Sequence, residues 1–129
     1  MDNIVLKDNL ETKTVDLKLI DFSISRKMKS KEEKIELTNC TEIFKPPEME
    51  EDYEVNPFKV DIFHFGTTLF CFLFNWQPET VFSEQAQTKK LEELKKHSNV
   101  LYEILIMCFK TNPEERPDIN KILELIEEI

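Results

Sequence analysis

Glycine is almost absent from this sequence, since Gly66 is the only glycine among 129 residues. Loops that bind phosphate groups through the backbone are usually rich in glycine, because a residue without a side chain lets the main chain approach the ligand closely. Such a loop cannot be built around a single glycine. These 129 residues therefore contain no glycine-rich phosphate-binding loop.

Cysteine is also scarce, and Cys40, Cys71 and Cys108 lie far apart in the sequence. They show no paired spacing of the kind that holds a metal ion, and their odd number argues against a disulfide framework. We interpret them as reduced, mostly buried thiols of a cytoplasmic or otherwise intracellular protein. No charged and then apolar leader follows Met1, so we expect no secretion.

Basic residues are fewer than acidic residues. The sequence has 17 Lys and Arg and 26 Asp and Glu, which gives a net charge of −9. Nucleic acid and anionic membrane surfaces would repel such a chain, so we expect neither as a partner. The four lysines between positions 27 and 34 alternate with Glu32 and Glu33. This alternation is typical of a solvated loop of mixed charge.

The longest apolar stretch, residues 62–74, covers only 13 positions and includes His64 and Gly66. A membrane-spanning helix needs about 20 apolar residues, so this stretch is too short. A helix that is apolar on every side is expected at the centre of a globular core. We therefore predict a buried central helix and no membrane partner.

The first part of the chain predicts a β-hairpin. Residues 4–6 are apolar, and Asp8 and Asn9 are good turn residues. Val15, Leu17 and Leu19 then alternate with polar residues, which is the period of a strand buried on one face. The following residues, 23–39, are rich in Lys, Glu and Ser and predict an exposed loop.

Four helices are predicted after this loop. Asn56 and Pro57 are typical of a helix start, and they would begin the central helix. A solvated helix follows at about 83–97, another at about 100–108, and Asp118 would cap the last one. The predicted apolar face of that last helix is Ile119, Ile122, Leu123, Ile126 and Ile129. The fold class is α+β, mainly α, as one domain covering residues 1–129.

Residues 21–23, Asp-Phe-Ser, close the alternating strand. They resemble the Asp-Phe-Gly motif of protein kinases, whose aspartate holds the Mg²⁺ that bridges the ATP phosphates. Asn3 precedes a short strand and resembles the asparagine at the end of the kinase catalytic loop, which holds a second Mg²⁺. The resemblance implies ATP and Mg²⁺ as cofactors of the complete domain, with Asn3 and Asp21 as metal ligands.

Three further motifs follow in kinase order. Residues 46–48, Pro-Pro-Glu, resemble the Ala-Pro-Glu end of a kinase activation segment, and Asp61 begins a stretch similar to the central kinase helix. Residues 112–117 resemble the Asn-Pro-x-x-Arg-Pro sequence before the last helix. The resemblance implies a buried ion pair of Glu48 with Arg116, and Asp61 as an anchor of the central helix. It covers a C-terminal lobe, from the end of the catalytic loop to the last helix.

The resemblance assigns about 21–48 to the activation segment. Thr41 lies seven residues before Glu48, where the family position faces the protein substrate and the catalytic base. Ser30 and Thr38 are possible phosphorylation sites, because a phosphate there could order the loop through basic side chains. The preferred interpretation of both is solvated loop hydroxyls.

The departures from the family concern catalysis. The phosphate-pairing lysine, its glutamate and the His-Arg-Asp sequence, whose aspartate is the catalytic base, would all lie upstream of Met1. Ser23 replaces the motif glycine, which restricts the backbone without removing the metal ligand. We expect a fragment of an ATP-dependent kinase domain of the serine/threonine type. In its full-length form it would phosphorylate protein hydroxyls, and this chain alone would be inactive, with no catalytic residue of its own.

Two alternatives remain open from the residues. A non-catalytic, pseudokinase-like module would bind a partner over the face left partly uncovered at Phe65, Leu69 and Phe72. An in-frame His-Arg-Asp and glycine-rich loop upstream would favour the kinase, and a true start codon with a stop before it would favour the module. An unrelated acidic helical protein is the second alternative, and contact between Glu48 and Arg116 around a central helix would exclude it.

Overall fold

The fold is known from a computed structural model that describes residues 3–37, 44–51, 54–75 and 84–129. Within these ranges a two-stranded antiparallel sheet precedes five α-helices. The elements are β1 (Ile4–Asn9), β2 (Thr14–Leu19), α1 (Glu48–Glu51), α2 (Pro57–Phe74), α3 (Glu84–His97), α4 (Asn99–Cys108) and α5 (Ile119–Ile126). The predicted fold class, α+β and mainly α, is confirmed, and the one-turn helix α1 was not predicted.

The turn of the hairpin lies two residues later than predicted. Asp8 and Asn9 still belong to β1, so the prediction of a turn at these two positions is wrong. The Asn9 side chain instead accepts hydrogen bonds from the backbone N–H groups of Glu11, at 3.2 Å, and Thr12, at 3.3 Å. Lys13 then closes the turn with a positive φ of 56°. Asparagine thus acts as a side-chain cap of the turn and not as its centre.

The apolar side chains of the hairpin share one face but are not buried there. The register pairs Leu6 with Leu17 and Ile4 with Leu19, as the alternation predicts for one side of a strand pair. Leu17 and Leu19 are nevertheless 60% and 59% exposed, so the predicted burial of this face is wrong. The helices of the described residues pack on one another and leave the hairpin face open.

Helix α2 begins and ends with clear local signals. The Asn56 side chain accepts a hydrogen bond from the Phe58 N–H at 3.0 Å, and Pro57 occupies the first turn, which confirms the predicted start. The helix ends at Asn75, which adopts the left-handed conformation with φ of 47°. One face of α2 is buried, as expected of a central helix, and Phe72 is exposed on the side that was expected to be partly uncovered.

Among the described residues, α2 is also long and apolar enough to cross a membrane, judged by length and composition alone. It has 18 residues, because it starts five positions before the apolar stretch seen in the sequence. A third of its residues are buried inside the protein, and the core helix of a soluble protein has the same length and composition. The absence of a membrane partner stays a prediction.

The core lies where α2, α4 and α5 meet. Ile62, Ile104, Cys108, Ile122 and Leu125 form one buried cluster from these three helices. Because it is buried among apolar side chains, the Cys108 thiol has its pKa raised to about 12. Both cysteines in the described residues, Cys71 and Cys108, are free and buried, as predicted. Cys40 lies outside the described residues.

The lone glycine of the chain lies at a close contact between α2 and α4. A Cβ atom placed on Gly66 would lie 2.5 Å from Cβ of Cys108, far inside van der Waals contact. The flexible end of a side chain could move away, but a Cβ moves only with its backbone. The two helices can therefore approach this closely only with glycine at position 66.

Replacing Gly66 with alanine is expected to lower the free energy of unfolding by about 1–3 kcal/mol through overpacking. This loss arises although alanine favours a helix interior by about 1 kcal/mol relative to glycine. Urea denaturation followed by far-ultraviolet circular dichroism measures it. In a Cys108→Gly background the same replacement should cost clearly less, and an equal cost in both backgrounds would show that the Cβ contact is not the cause.

The predicted starts of α4 and α5 agree with the structure better than the predicted buried face of α5 does. Ser98, which was not predicted, caps α4 by accepting a hydrogen bond from the Leu101 N–H at 3.3 Å. Asp118 is the first residue before α5, as predicted, but its side chain makes no capping hydrogen bond. It lies 3.5 Å from Nζ of Lys31 instead.

Only part of the predicted apolar face of α5 is buried. Ile122 faces the core, whereas the other predicted residues are exposed: Ile119, Leu123, Ile126 and Ile129. Leu125, which was not predicted, also faces the core. The prediction of one buried stripe is therefore wrong for the four exposed residues. The reason is that α5 packs mainly on α4, and a single neighbouring helix covers a narrower strip than the apolar face of α5.

Candidate functional site

The open end of the hairpin brings an amide and a carboxylate to one place. The Ile20 N–H donates a hydrogen bond to the Asn3 carbonyl at 2.9 Å, so strand pairing continues one residue beyond β1. Asp21 follows Ile20 directly. Asn3 and Asp21 are both exposed, and they lie on adjacent strands at the end opposite the turn. The register of the hairpin therefore puts the two predicted metal ligands at the same end of the sheet, and their role as ligands stays a prediction.

Asp21 has an unusual backbone, with a positive φ of 61°. Aspartate is one of the few non-glycine residues that visit this left-handed region, because its short side chain can hydrogen-bond locally. Here the Asp21 Oδ1 accepts hydrogen bonds from the hydroxyl of Ser23 at 2.6 Å and from the Ser23 N–H at 3.3 Å. Residue 23 thus holds the carboxylate in a defined orientation although it is exposed.

The hydroxyl and the N–H of Ser23 lower the pKa of Asp21 from its ordinary value of 3.8, since both favour the charged carboxylate. The stabilisation is complete above the unfolded-state pKa and is lost as the pH falls through the lower folded-state pKa. We expect Ser23→Ala to raise the Asp21 pKa, as measured by carbon NMR of the carboxyl group.

Ser25→Ala is the matched control, because no described hydrogen bond joins its hydroxyl to Asp21. An unchanged Asp21 pKa in Ser23→Ala would show that Ser23 is not the cause of the lowered pKa.

The donors at the hairpin end suit a magnesium ion that is shared with phosphates. Among the residues that the structure describes, no group of three or more His, Cys, Asp or Glu side chains could hold a metal ion. Mg²⁺, however, is usually held by one or two protein carboxylates together with water and substrate phosphates. The Asp21 carboxylate and the Asn3 amide provide hard oxygen donors of this kind. They would supply part of an octahedral set of ligands, and water or phosphates would supply the rest.

A second predicted pair lies in the helical part. Arg116 donates two parallel hydrogen bonds to Glu48, from Nη1 to Oε1 at 2.6 Å and from Nη2 to Oε2 at 2.7 Å. Glu48 is 5% exposed and Arg116 is 2% exposed. This two-point geometry is the strongest form of a carboxylate–guanidinium contact. The structure therefore joins the start of α1 to the segment before α5.

Two more N–H groups of the Arg116 guanidinium donate to backbone carbonyls. Its Nε donates to the Lys110 carbonyl at 2.9 Å, and Nη1 donates to the Lys59 carbonyl at 3.0 Å. The Lys59 Nζ in turn donates to the Arg116 carbonyl at 2.5 Å. The ring of Phe63 lies 4.9 Å from the guanidinium carbon. One arginine thus ties α1, α2 and the segment after α4 together.

The order of these features along the chain is that of a kinase domain, and a family comparison decides the assignment. The family model described as protein tyrosine and serine/threonine kinase matches residues 1–126. This chain belongs to the protein kinase family. No curated protein matches the sequence. The resemblance inferred from the motifs is confirmed, and the alternative of an unrelated acidic helical protein is excluded.

Phe63 is a packing residue of this kinase chain whose contacts the motif comparison did not reveal. It stands where the kinase motif usually has tryptophan, and its ring packs edge-on against Phe109 with the ring centres 5.6 Å apart. The same ring covers the Arg116 guanidinium. An aromatic residue two positions after Asp61 was the available signal, but its partners lie more than 40 positions away in the sequence.

Asp61, the predicted anchor of the central kinase helix, lies on the exposed side of α2. Within the described residues it makes no hydrogen bond or ion pair. Partial desolvation raises the pKa of its carboxyl group, and the nearby His64 opposes this change. Burial lowers the pKa of His64, with Asp61 opposing it. The anchoring role of Asp61 stays a prediction.

The predicted activation segment is described at both of its ends. The predicted exposed loop is confirmed over residues 23–37. Ser30 is exposed, and its hydroxyl accepts a hydrogen bond from the Glu32 N–H at 3.3 Å. An antiparallel bridge between Ile35 and Val55 ties this loop to the start of α2. Thr38 and Thr41, the other predicted loop sites, lie outside the described residues.

The face expected to be partly uncovered lies along α2. Phe65 and Leu69 are half-buried and pack against the core cluster. Phe72 is 69% exposed. The structure therefore covers the first two residues in part and leaves the third open to solvent.

Proposed function

We propose that this chain forms part of an ATP-dependent protein kinase domain of the serine/threonine type. In the complete domain, Asn3 and Asp21 would hold the Mg²⁺ that bridges the ATP phosphates, and protein hydroxyl groups would be the acceptors. The observation that carries the proposal is the hairpin register, which places the amide and the carboxylate at the same end of the sheet. Membership of the kinase family supports the reaction class.

Each part of the described geometry has a role in this proposal. Bound Mg²⁺ neutralises charge that develops on the transferred phosphate. The Asp21 carboxylate and the Asn3 amide bind and orient the ion, and Ser23 fixes the direction of the carboxylate. The Glu48–Arg116 pair fixes the far end of the activation segment. The segment is thus fixed at both ends, so that its middle, including Thr41, can present a protein substrate.

The 129 residues do not contain the remaining groups that phosphoryl transfer needs. Neither His64 nor His97 is followed by Arg-Asp, and one glycine cannot form a glycine-rich loop. Kinase catalysis depends on positioning and electrostatic stabilisation. Two metal ligands supply little of either, so we propose that the chain is inactive alone.

The test begins with the purified chain, ATP, Mg²⁺ and a generic basic protein, where we expect no phosphate transfer above background. Turnover that disappears in Asp21→Ala would contradict the proposed inactivity. The chain is then joined to the N-terminal lobe and catalytic loop of an active kinase. We expect transfer to serine or threonine peptides, and a loss of roughly a hundredfold or more in Asp21→Ala. A folded hybrid that transfers equally well without Asp21 would refute the metal assignment.

The exposed hairpin face is also compatible with the alternative that we keep, a non-catalytic kinase-like module. Leu6, Leu17 and Leu19 form an apolar surface that is more than half exposed and could bind a protein partner. A folded hybrid without transfer to any peptide would support this function over the first. In either case we propose an intracellular protein that acts on or binds proteins and not nucleic acid, since its net charge is −9.

A further inference from the structure

Ser23 adds an oxygen atom to the site where the kinase motif has glycine, which has no side chain. Its hydroxyl lies 2.6 Å from Oδ1 of Asp21, and its N–H lies 3.3 Å from the same oxygen. Both residues are exposed, so a hydrated cation can approach them from solvent. The site therefore offers a hydroxyl, a carboxylate and an amide within one turn and one strand pair.

The Ser23 hydroxyl can bind a cation as well as hold the Asp21 carboxylate. A serine hydroxyl has one hydrogen, which here is donated to Asp21, and two lone pairs that remain available. Mg²⁺ prefers hard oxygen ligands at about 2.1 Å in octahedral geometry, so neighbouring ligand oxygens lie roughly 3 Å apart. The observed separation of 2.6 Å is close to this spacing, and a small side-chain rotation would reach it.

We propose that Ser23 is a third protein ligand of the cation, through its hydroxyl oxygen, beside Asp21 and Asn3. This inference rests on the proposed function, because it assumes that the hairpin end binds a divalent cation. Ser23, which replaces the motif glycine, would then take part directly in metal binding. The chain would then hold the ion with one more oxygen than the motif itself supplies.

Manganese binding to the 129-residue chain tests the inference without any enzyme activity. Mn²⁺ replaces Mg²⁺ at oxygen sites, and the unbound ion is measured by electron paramagnetic resonance. We expect Ser23→Ala to weaken Mn²⁺ binding by roughly tenfold. Ser23→Thr keeps the hydroxyl and should bind as the natural chain does. Asp21→Asn should lose binding to a greater extent than Ser23→Ala.

A second measurement separates a metal ligand from a residue that only positions Asp21. Ser23→Cys replaces the hard oxygen with a soft sulfur, which favours Cd²⁺ over Mg²⁺ if residue 23 contacts the ion. The variant is made in a Cys40→Ser background, and the remaining thiols, Cys71 and Cys108, are buried. We expect one new Cd²⁺ site with a sulfur–cadmium absorption band, which Asp21→Asn weakens.

The outcomes distinguish this inference from the proposed function. If Ser23→Ala binds Mn²⁺ as tightly as the natural chain while Asp21→Asn does not, the ligand role of Ser23 is wrong and the metal site stands. An unchanged Cd²⁺ preference in Ser23→Cys also overturns the ligand role. If Asp21→Asn binds as well as the natural chain, or the natural chain binds no Mn²⁺, the metal assignment fails and the inference fails with it.

Discussion

Replacing Arg116 with alanine is expected to lower the free energy of unfolding by about 3–5 kcal/mol. The change removes both hydrogen bonds to Glu48 and leaves its carboxylate buried without a partner. It also frees the carbonyl groups of Lys59 and Lys110. Urea denaturation followed by circular dichroism measures the loss. The size of the effect reflects the cost of an uncompensated buried charge and not the net value of the pair.

Two further variants sharpen this test. Lys121→Ala breaks an exposed pair with Glu124, at 3.2 Å, and should change stability by less than about 1 kcal/mol, because water already screens it. Arg116→Lys keeps the charge but loses the planar two-point geometry, so it should not restore stability. An Arg116→Ala effect as small as that of Lys121→Ala would mean that the buried pair does not fix the segment.

Replacing Phe70 with alanine is expected to cost about 3–5 kcal/mol of unfolding free energy. Its side chain is fully buried, and its ring packs against Phe74, with centres 4.6 Å apart, and against Phe109, at 6.2 Å. Removal leaves a cavity that a helix fixed at both ends cannot close. The same denaturation experiment measures the loss.

Phe72 provides a matched control on the same helix. It is the same residue type only two positions away, but 69% of it is exposed. Phe72→Ala should therefore change stability by no more than about 0.5 kcal/mol. Equal losses at both positions would show that α2 is buried at Phe72 as well as at Phe70. A larger loss at Phe72 would show that the helix faces the other way.

The site and the stabilising core lie in different parts of the molecule. Asn3, Asp21 and Ser23 are held by hydrogen bonds within the hairpin and the turn that follows it. Arg116 and Phe70 act in the helices. Variants of Asp21 and Ser23 should therefore report on metal binding with little effect on global unfolding, since surface substitutions change stability only slightly.

The sequence predicted those features that depend on neighbouring residues. The start of α2 follows from Asn56 and Pro57, because a cap and a fixed proline φ act within one turn. The strand at Val15 to Leu19 follows from its two-residue period. The order of the motifs pointed to the kinase family and to Glu48 with Arg116 before any contact was known. These signals are local, or they come from comparison with a known pattern.

Tertiary structure alone decided which surfaces are buried. The sequence shows an apolar face both for α5 and for the hairpin and does not distinguish which of them is buried. In the structure only the part of α5 that meets α4 is covered. The need for glycine at position 66 is seen only when Cys108 lies beside it in the fold. The packing of Phe63 is likewise seen only with Arg116 over its ring. Hydrophobic burial requires a partner surface, and partners distant in sequence meet only when the chain is folded. Local composition determined the elements of this protein, and long-range packing decided what each of them contacts.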